Sequence, residues 1–521
     1  MGDGGSPPGD DGGAEEPIVC NLPAAAECAP DATRAGPIRV LSEADVEDLR
    51  GVACVDGDLE IVDTALTTLD GFDELVRVEG SLRIVRNPSL TSVAGFRALE
   101  HVGLLEITGN DALLRLEGFG SLASLGTLHV AGNDVLDGIR GLEGVSTLSG
   151  YLYLGHNPSL ASLRGLDCVT RLPTDLTLFN NPALVDLRGL DGVESVGQHV
   201  EILENEGLLS LDGLGALRSV GGALAIEENP ALVSLAGLEA LESVGDQVSL
   251  RWNFSLQSLS PLSSLAAIGS SLRLERNNSL EDLRGLEGLT EVPGRLLIGE
   301  HTALRSLTGL DNVVRVGGDV QIDSNIELES VDGLEGLQEI GGSLYVLSNL
   351  GLLDLDGLAS LTRVGNDLLV GFNERIVDIG GLAGVSGTVA NLGVSHNVAL
   401  TSFALPNIRH VEGDVFLLYN DLLATLALDG LVDVGGELRV NTNPVLTRFS
   451  FDALTDVGGD LSIYQNWQLV ALDFPALGWV GAYLSVYENT SLGDAAAWSL
   501  VDQIKAREGL GQEPFIQDNQ P

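Results

Sequence analysis

One lysine, Lys505, stands among the 27 basic residues of this 521-residue chain, and every other base is arginine. A phosphate-binding loop of the G-x-x-x-x-G-K type needs its lysine directly after the glycine. Lys505 follows Ser-Leu-Val-Asp-Gln-Ile, so that class of nucleotide hydrolase is excluded. Aromatic residues amount to 4% and there is one methionine, a composition that suits a narrow, regular core better than a broad one. No run of about 18 apolar residues occurs, so no membrane-spanning helix is expected. None of the four cysteines forms a C-x-x-C pair, which removes the zinc-ribbon and thioredoxin readings. Neither H-E-x-x-H nor G-x-S-x-G occurs. The histidines, His101, His129, His156, His199, His301, His396 and His410, are scattered through the repeat described below. No catalytic residue, metal or cofactor is expected.

Acids outnumber bases 75 to 27, a formal net charge of −48. Such a surface repels phosphate backbones and anionic headgroups, so nucleic acid is not an expected partner. The plain reading is a solvated coat; the sharper one is a surface that attracts cationic ligands or Ca²⁺. The arginine-for-lysine skew is that of a GC-rich bacterial genome.

The 66 glycines and the abundant Leu and Val are not spread at random. An asparagine recurs every 23 or 24 residues, at Asn87, Asn110, Asn133, Asn157, Asn181, Asn205, Asn229, Asn253 and Asn277. It continues at Asn325, Asn349, Asn373, Asn397, Asn420, Asn443, Asn466 and Asn489. His301 fills the gap, and Asp63 holds the equivalent place at the start. A typical unit is GGALAIEENPALVSLAGLEALESV, residues 221–244. Its L-x-I pair has period two, a short strand with both apolar side chains inward. Several of the asparagines precede proline, which ends the strand and sets a turn. L-x-x-L-x-G-L forms a second wall, and V-G-G another corner. One coil cannot bury its apolar face alone, but stacked coils can. The expected fold is mainly β: a right-handed parallel β-solenoid of about 19 coils with N- and C-terminal capping helices. At ~4.8 Å per rung it is a rod about 90 Å long.

The asparagine has a physical task here. An inward turn leaves backbone N–H and C=O groups without regular partners, and buried groups of that kind must be satisfied. An amide both donates and accepts, so a column of Asn can bridge each coil to the next. The sequons at Asn253, Asn277 and Asn489 fall in this column and are read as ladder residues, not as glycosylation sites. The stretches VGGDVQIDS and VGGDLSIY have the look of calcium-binding toxin repeats, but those repeat every nine residues, and corner glycines are the preferred reading.

The ends need covers. Ser42 is the expected N-cap of a helix, with Asp45 three residues on and Leu41 stapling to Val46. At the other end Asp494 is the expected cap, Ala497, Leu500, Val501 and Ile504 form one stripe, and Gly509 ends the helix. Three of the cysteines crowd the N-terminus; a disulfide there is expected, Cys28–Cys54 first and a swap with Cys20 second. Cys168 reads as a small core residue. The expected division is a Gly/Asp/Pro linker over 1–19, an N-terminal cap over 20–57, solenoid over 58–493, and a capping helix and tail over 494–521.

In L-x-I-x the two x positions face outward together. Tyr153, Phe179, Tyr345, Phe416, Tyr464 and Tyr487 occupy such places, and Trp252, Phe372 and Tyr419 sit one step later. Tyr345, Phe372, Phe416, Tyr419, Tyr464 and Tyr487 are the candidate ligand-binding set, because exposed aromatics supply apolar area with a polar tip.

The stretch VEDLRGVACVDGDLEI (46–61) and the repeat that follows resemble the receptor L-domain family, leucine-rich-repeat-like β-solenoids of receptor ectodomains and of bacterial surface proteins. The resemblance implies a capping helix, then a cysteine, then the first strand. It implies that Cys54 pairs with an upstream cysteine, for which Cys28 is the best partner. The family has far fewer coils, and no ligand contact carries over. The opening MGDGGSPPGDDGGAEEP resembles the tether behind the lipidated cysteine of a bacterial lipoprotein, with Met1 where that cysteine would stand. The expectation is an extracytoplasmic, lipid-anchored, non-enzymatic recognition or adhesion protein with a protein or glycan ligand on the sheet face. The alternatives are a passive spacer or surface coat and a carbohydrate-active β-helix enzyme using paired carboxylates.

Overall fold

The computed structural model describes residues 20, 28–507 and 509–519; the linker read over 1–19 lies outside them. The chain winds as a parallel β-solenoid of about 19 turns. Its principal sheet has 24 strands, one for most coils and all parallel to their neighbours. Register is strict: Ile202 pairs with Ile226 and Ile226 with Leu250. Leu224 and Ile226 point inward and are fully buried, as are Leu232, Leu235, Leu238 and Leu241 on the other walls. The apolar positions of each coil therefore meet those above and below, and the core runs unbroken from one cap to the other.

Two glycine positions set the corners. Gly237 has φ +109°, and a Cβ there would lie 2.1 Å from the Leu211 carbonyl of the coil below. Gly245 would bring a Cβ to 2.0 Å from the Gly221 carbonyl. The acidic residues share in this scaffolding. Glu239 accepts the Gly237 N–H at 2.9 Å, and Asp191 and Asp311 do the same for Gly189 and Gly309. Asp319 of VGGDVQIDS accepts the Ser343 N–H, and Asp460 of VGGDLSIY accepts that of Tyr483. Both carboxylates bridge coils.

The 23-residue coils lose their residue in different places. After Val102 and Leu125 the corner is one residue short, and corner and strand fuse into His101–Thr108 and Ser124–Ala131. Near the C-terminus the bend glycine of the second wall is missing instead. That wall then becomes a strand, at Ser402–Ala404, Thr425–Ala427 and Arg448–Ser450, and the three form a sheet of their own.

The asparagine column is fully buried. Asn205 donates its backbone N–H to Asn229 Oδ1 at 3.0 Å, and Asn229 donates its Nδ2 to the Ile202 carbonyl at 2.8 Å. Asn229 passes its own N–H to Asn253 at 3.2 Å, and the pattern repeats along the rod. His301 reproduces it: its Nδ1 accepts the Asn277 N–H at 3.2 Å, and its Nε2 lies 3.1 Å from the Leu274 carbonyl. The neutral imidazole with its proton on Nε2 satisfies both. Burial holds His301 down to about 4, because a charged ring would lose the acceptor and its hydration.

Several expectations need correction. The first ladder position is Thr64, not Asp63: Thr64 N–H and Oγ1 both donate to Asn87 Oδ1. Asp63 sits one place earlier, with φ +57°, and pairs with Arg86 at 2.7 Å. Ser42 does stand at the N-cap of α1 (Glu43–Glu47), but Leu41 is 60% exposed and staples nothing. Asp45 instead accepts the Leu41 N–H and the Ser42 hydroxyl, each at 2.9 Å. Those two bonds hold its carboxyl below the usual range. Helix α2 (Asp494–Lys505) buries its expected stripe, but its N-cap is Gly493 and Asp494 is already helical. Beyond α2 the chain returns to the sheet: Phe515–Gln517 pairs with the strand at Leu484, and Asn519 accepts the Asn489 N–H at 3.2 Å. Cys28 and Cys54 are bonded, with Cα atoms 6.0 Å apart. Cys168 is not a free core thiol; it is bonded to Cys20, with Cα atoms 5.1 Å apart.

Two outcomes follow from the ladder. Asn229→Ala leaves the Asn205 N–H and the Ile202 carbonyl without partners, and a loss of about 3 kcal/mol in denaturant unfolding is expected. His301 makes stability depend on pH. Above about pH 6.5 the ring is neutral in both states; as pH falls toward 4 the unfolded chain takes up a proton that the folded state refuses. About 3 kcal/mol is then lost over that window, and His301→Asn is expected to abolish that share of the acid sensitivity.

Candidate functional site

Each coil leaves its strand through a residue just before the ladder position, and that residue is left-handed. Phe372, His396 and Tyr419 have φ of +58°, +57° and +56°. For a residue with a Cβ this conformation costs about 1 kcal/mol, and glycine replaces it only in the coils of Gly109 and Gly132. The fold thus carries a column of side chains, at some strain, along the rim of the sheet.

Three members of that column are rings. Phe372 and His396 stack with centroids 4.2 Å apart and planes at 12°, and His396 and Tyr419 with centroids 4.6 Å apart at 26°. Since the rungs rise by ~4.8 Å, these planes lie across the rod axis. The ring faces cover one another and the edges face solvent. Phe372 and Tyr419 remain about half exposed. A second stack joins Tyr464 and Tyr487, 4.7 Å apart at 7°, and Phe515 meets Tyr487 edge-on at 5.5 Å. Burial raises the Tyr487 phenol, with Tyr464 and Glu488 adding to it, so the hydroxyl stays neutral at physiological pH.

Between the two stacks the outward position is Asn441, in register with Leu418 on one side and Tyr464 on the other. It is 2% exposed, and its Oδ1 is buried without a hydrogen-bond partner. His396 Nδ1 is likewise buried and unpartnered. A desolvated acceptor of this kind costs about 1–3 kcal/mol and is satisfied by a donor brought from outside.

The structure thus gathers four of the six candidate residues into two stacks, Phe372 with Tyr419 and Tyr464 with Tyr487. Phe416 lies apart, with the Arg439 guanidinium 5.7 Å above its ring. Tyr345 lies three rungs away and donates its hydroxyl to Asp367 Oδ2 at 3.0 Å. Nearer the N-terminus Tyr153 stacks on His129 at 4.5 Å, and Phe179 meets His156 edge-on at 4.7 Å. His396, Asn441 and Phe515 went unseen in the sequence. The first two could have been found by counting back from the ladder, since they hold the same offsets as Tyr419 and Tyr464. Among the described residues no group of three or more His, Cys, Asp or Glu side chains is placed to hold a metal ion, and no helix is long and apolar enough to cross a membrane.

No family model matches the chain, and no curated protein is significantly similar to it. Solved structures with a similar coil exist. Toll from the Drosophila Toll–Spatzle complex is 16% identical with a TM-score of 0.37, over 83% of this chain and 59% of that one. An internalin of Listeria monocytogenes is 15% identical at 0.31, over 70% of this chain and 88% of that one. TLR13, from its complex with ssRNA13, is 14% identical at 0.22, over 91% and 86%. The fold itself is a parallel β-solenoid of leucine-rich coils. The chain spans less than two thirds of the Toll structure, and none of these likenesses bears on its ligand.

His396→Ala removes the middle ring of the first stack and leaves the ladder intact. A loss of about 1 kcal/mol in stability is expected, together with a changed Tyr419 environment in fluorine NMR of fluorotyrosine-labelled protein.

Proposed function

We propose that this is a non-enzymatic recognition or adhesion protein of the extracytoplasmic space, whose ligand is another protein seated on the outward strand face around Asn441. The observation that carries this reading is the buried, unpartnered Asn441 Oδ1 flanked by two aromatic stacks, the first about half exposed and the second partly exposed. Ring edges and tyrosine hydroxyls suit a protein surface, which brings N–H donors and apolar side chains together. A glycan bound by stacking needs open ring faces, and here the rings turn their facing sides to one another. The −48 charge favours neither nucleic acid nor bare anionic membrane. Both disulfides are consistent with an oxidising compartment. We assign the chain to the receptor L-domain type of solenoid, carried on a bacterial surface by an N-terminal lipid anchor, with no cofactor. The helix Glu43–Glu47, the Cys28–Cys54 bond and the strand Leu59–Val62 support the assignment, although two short strands, Thr33–Ala35 and Ile38–Val40, already precede the helix, where the resemblance implied none. We divide the chain into linker, cap, solenoid and C-terminal helix at residues 19, 57 and 493.

The test is an array of extracellular proteins and glycans, read with the wild type and with Phe372→Ala/Tyr419→Ala and Tyr464→Ala/Tyr487→Ala variants. A protein signal that falls about tenfold or more in both variants is expected. Signals only on glycans, no signal at all as for a passive spacer, or new reducing ends released from a polysaccharide would each overturn the reading.

A further inference from the structure

A second surface lies nearer the middle of the rod and shares no residue with the aromatic stacks. The left-handed rim column there reads Glu204, Glu228 and Trp252, with φ of +57°, +58° and +55°. The row just past the ladder reads Glu206, Pro230 and Phe254. The two rows wall an open groove of about 520 Å³. With Asn180 at one end it crosses four coils, about 14 Å along the axis. Phe254 is 44% exposed.

The charge in this groove is unmatched. Some acids elsewhere on the strand face pair with arginines on neighbouring coils. Arg83 bonds Glu106 at 2.7 Å, Arg251 lies 2.8 Å from Glu275, and Arg276 bonds Glu300 at 2.8 Å. Glu204, Glu206 and Glu228 have no ion pair among the described residues. Among the described residues they are not part of a group of three or more side chains placed to hold a metal ion. What they face is aromatic and apolar. Trp252 already holds one guanidinium, that of Arg251, 3.9 Å from its ring centroid, so the indole is fixed in place and Phe254 is the more open ring.

We infer that this groove binds an extended, arginine- or lysine-rich segment of a partner protein. The charge complementarity selects the occupant. A cationic side chain gains from the Phe254 ring and from three carboxylates that make no ion pair among the described residues. The apolar stems of arginine and lysine cover Pro230 and Phe254 while their heads reach the glutamates. An extended backbone also matches a groove whose walls repeat at every rung.

The experiment titrates the full chain into a fluorescently labelled oligoarginine peptide at physiological ionic strength, read by anisotropy. An oligoglutamate peptide of the same length is the negative probe. Glu204→Gln/Glu206→Gln/Glu228→Gln is expected to weaken oligoarginine binding about tenfold. Phe254→Ala, which changes no charge, is expected to weaken it about threefold. Asp134→Asn/Glu374→Gln/Asp421→Asn removes as much charge from the same row, away from Trp252 and Phe254, and is expected to leave the affinity within twofold or so. Phe372→Ala/Tyr419→Ala is expected to leave it unchanged. Equal losses in the groove and control triple variants, or no loss in Phe254→Ala, overturn the proposal and indicate adsorption to the acidic surface at large. An equal loss in the stack variant overturns it as well, by placing the cationic segment on the other face. Failure of the stacks to bind any protein leaves the oligoarginine result readable on its own.

Discussion

The bond from the backbone N–H of each ladder residue to the side-chain acceptor of the next is what the rest of the molecule depends on. It runs from Thr64 through His301 to Asn519. At that point the chain must leave its strand, and the carbonyl two residues into the strand loses its sheet partner. A parallel sheet cannot close such a gap from the backbone alone. The amide fills it from one coil up, with an acceptor and a donor the right distance apart. Isosteric carboxylates lack the donor and hydroxyls lack the reach, which is why Thr64 serves only at the terminal rung. His301 shows the rule is about hydrogen-bond capacity and not about residue type, provided the ring stays neutral.

Strict register then dictates what the surface can present. Because every rung repeats at the same offset, like positions fall into columns about 4.8 Å apart, close to the distance at which aromatic rings stack. Rings in neighbouring coils cover each other's faces, as in Phe372, His396 and Tyr419. Opposite charges in neighbouring coils pair, as in Arg276 and Glu300. Among what the columns fail to match are the Asn441 oxygen between two stacks and the glutamates Glu204, Glu206 and Glu228, which make no ion pair among the described residues. The acidic excess is thus several things at once. Some carboxylates cap corner glycines, some bridge coils, and many stand open.

Much of the architecture was legible in the sequence because it rests on short-range spacing. The period, the inward L-x-I pairs, the buried Asn column and the two helices all follow from residues within one coil. What escaped was whatever broke the period or crossed it. Asp63 reads as the first rung because Leu66 follows its ladder residue by two positions, where Leu90 follows Asn87 by three, which shifts the count onto Thr64. Asn519 was hidden by the helix inserted before it. The Cys20–Cys168 bond spans 148 positions and leaves no local trace. The aromatic set was visible as a list but not as stacks, since stacking depends on which residue lies in the same column one coil away. Tyr345 and Phe416 hold outward positions like the others, yet find Asp367 and Arg439 instead of a ring.

The most direct measurement of the ladder is amide hydrogen exchange at single-residue resolution. If the inner amides tie the coils together, the backbone N–H groups of Asn205, Asn229 and Asn253 exchange only through global opening, as slowly as those of the central strand residues Ile202 and Ile226. Exchange at these three asparagines at the rate of the exposed turn residues that follow them, while the strands stay protected, would contradict the account.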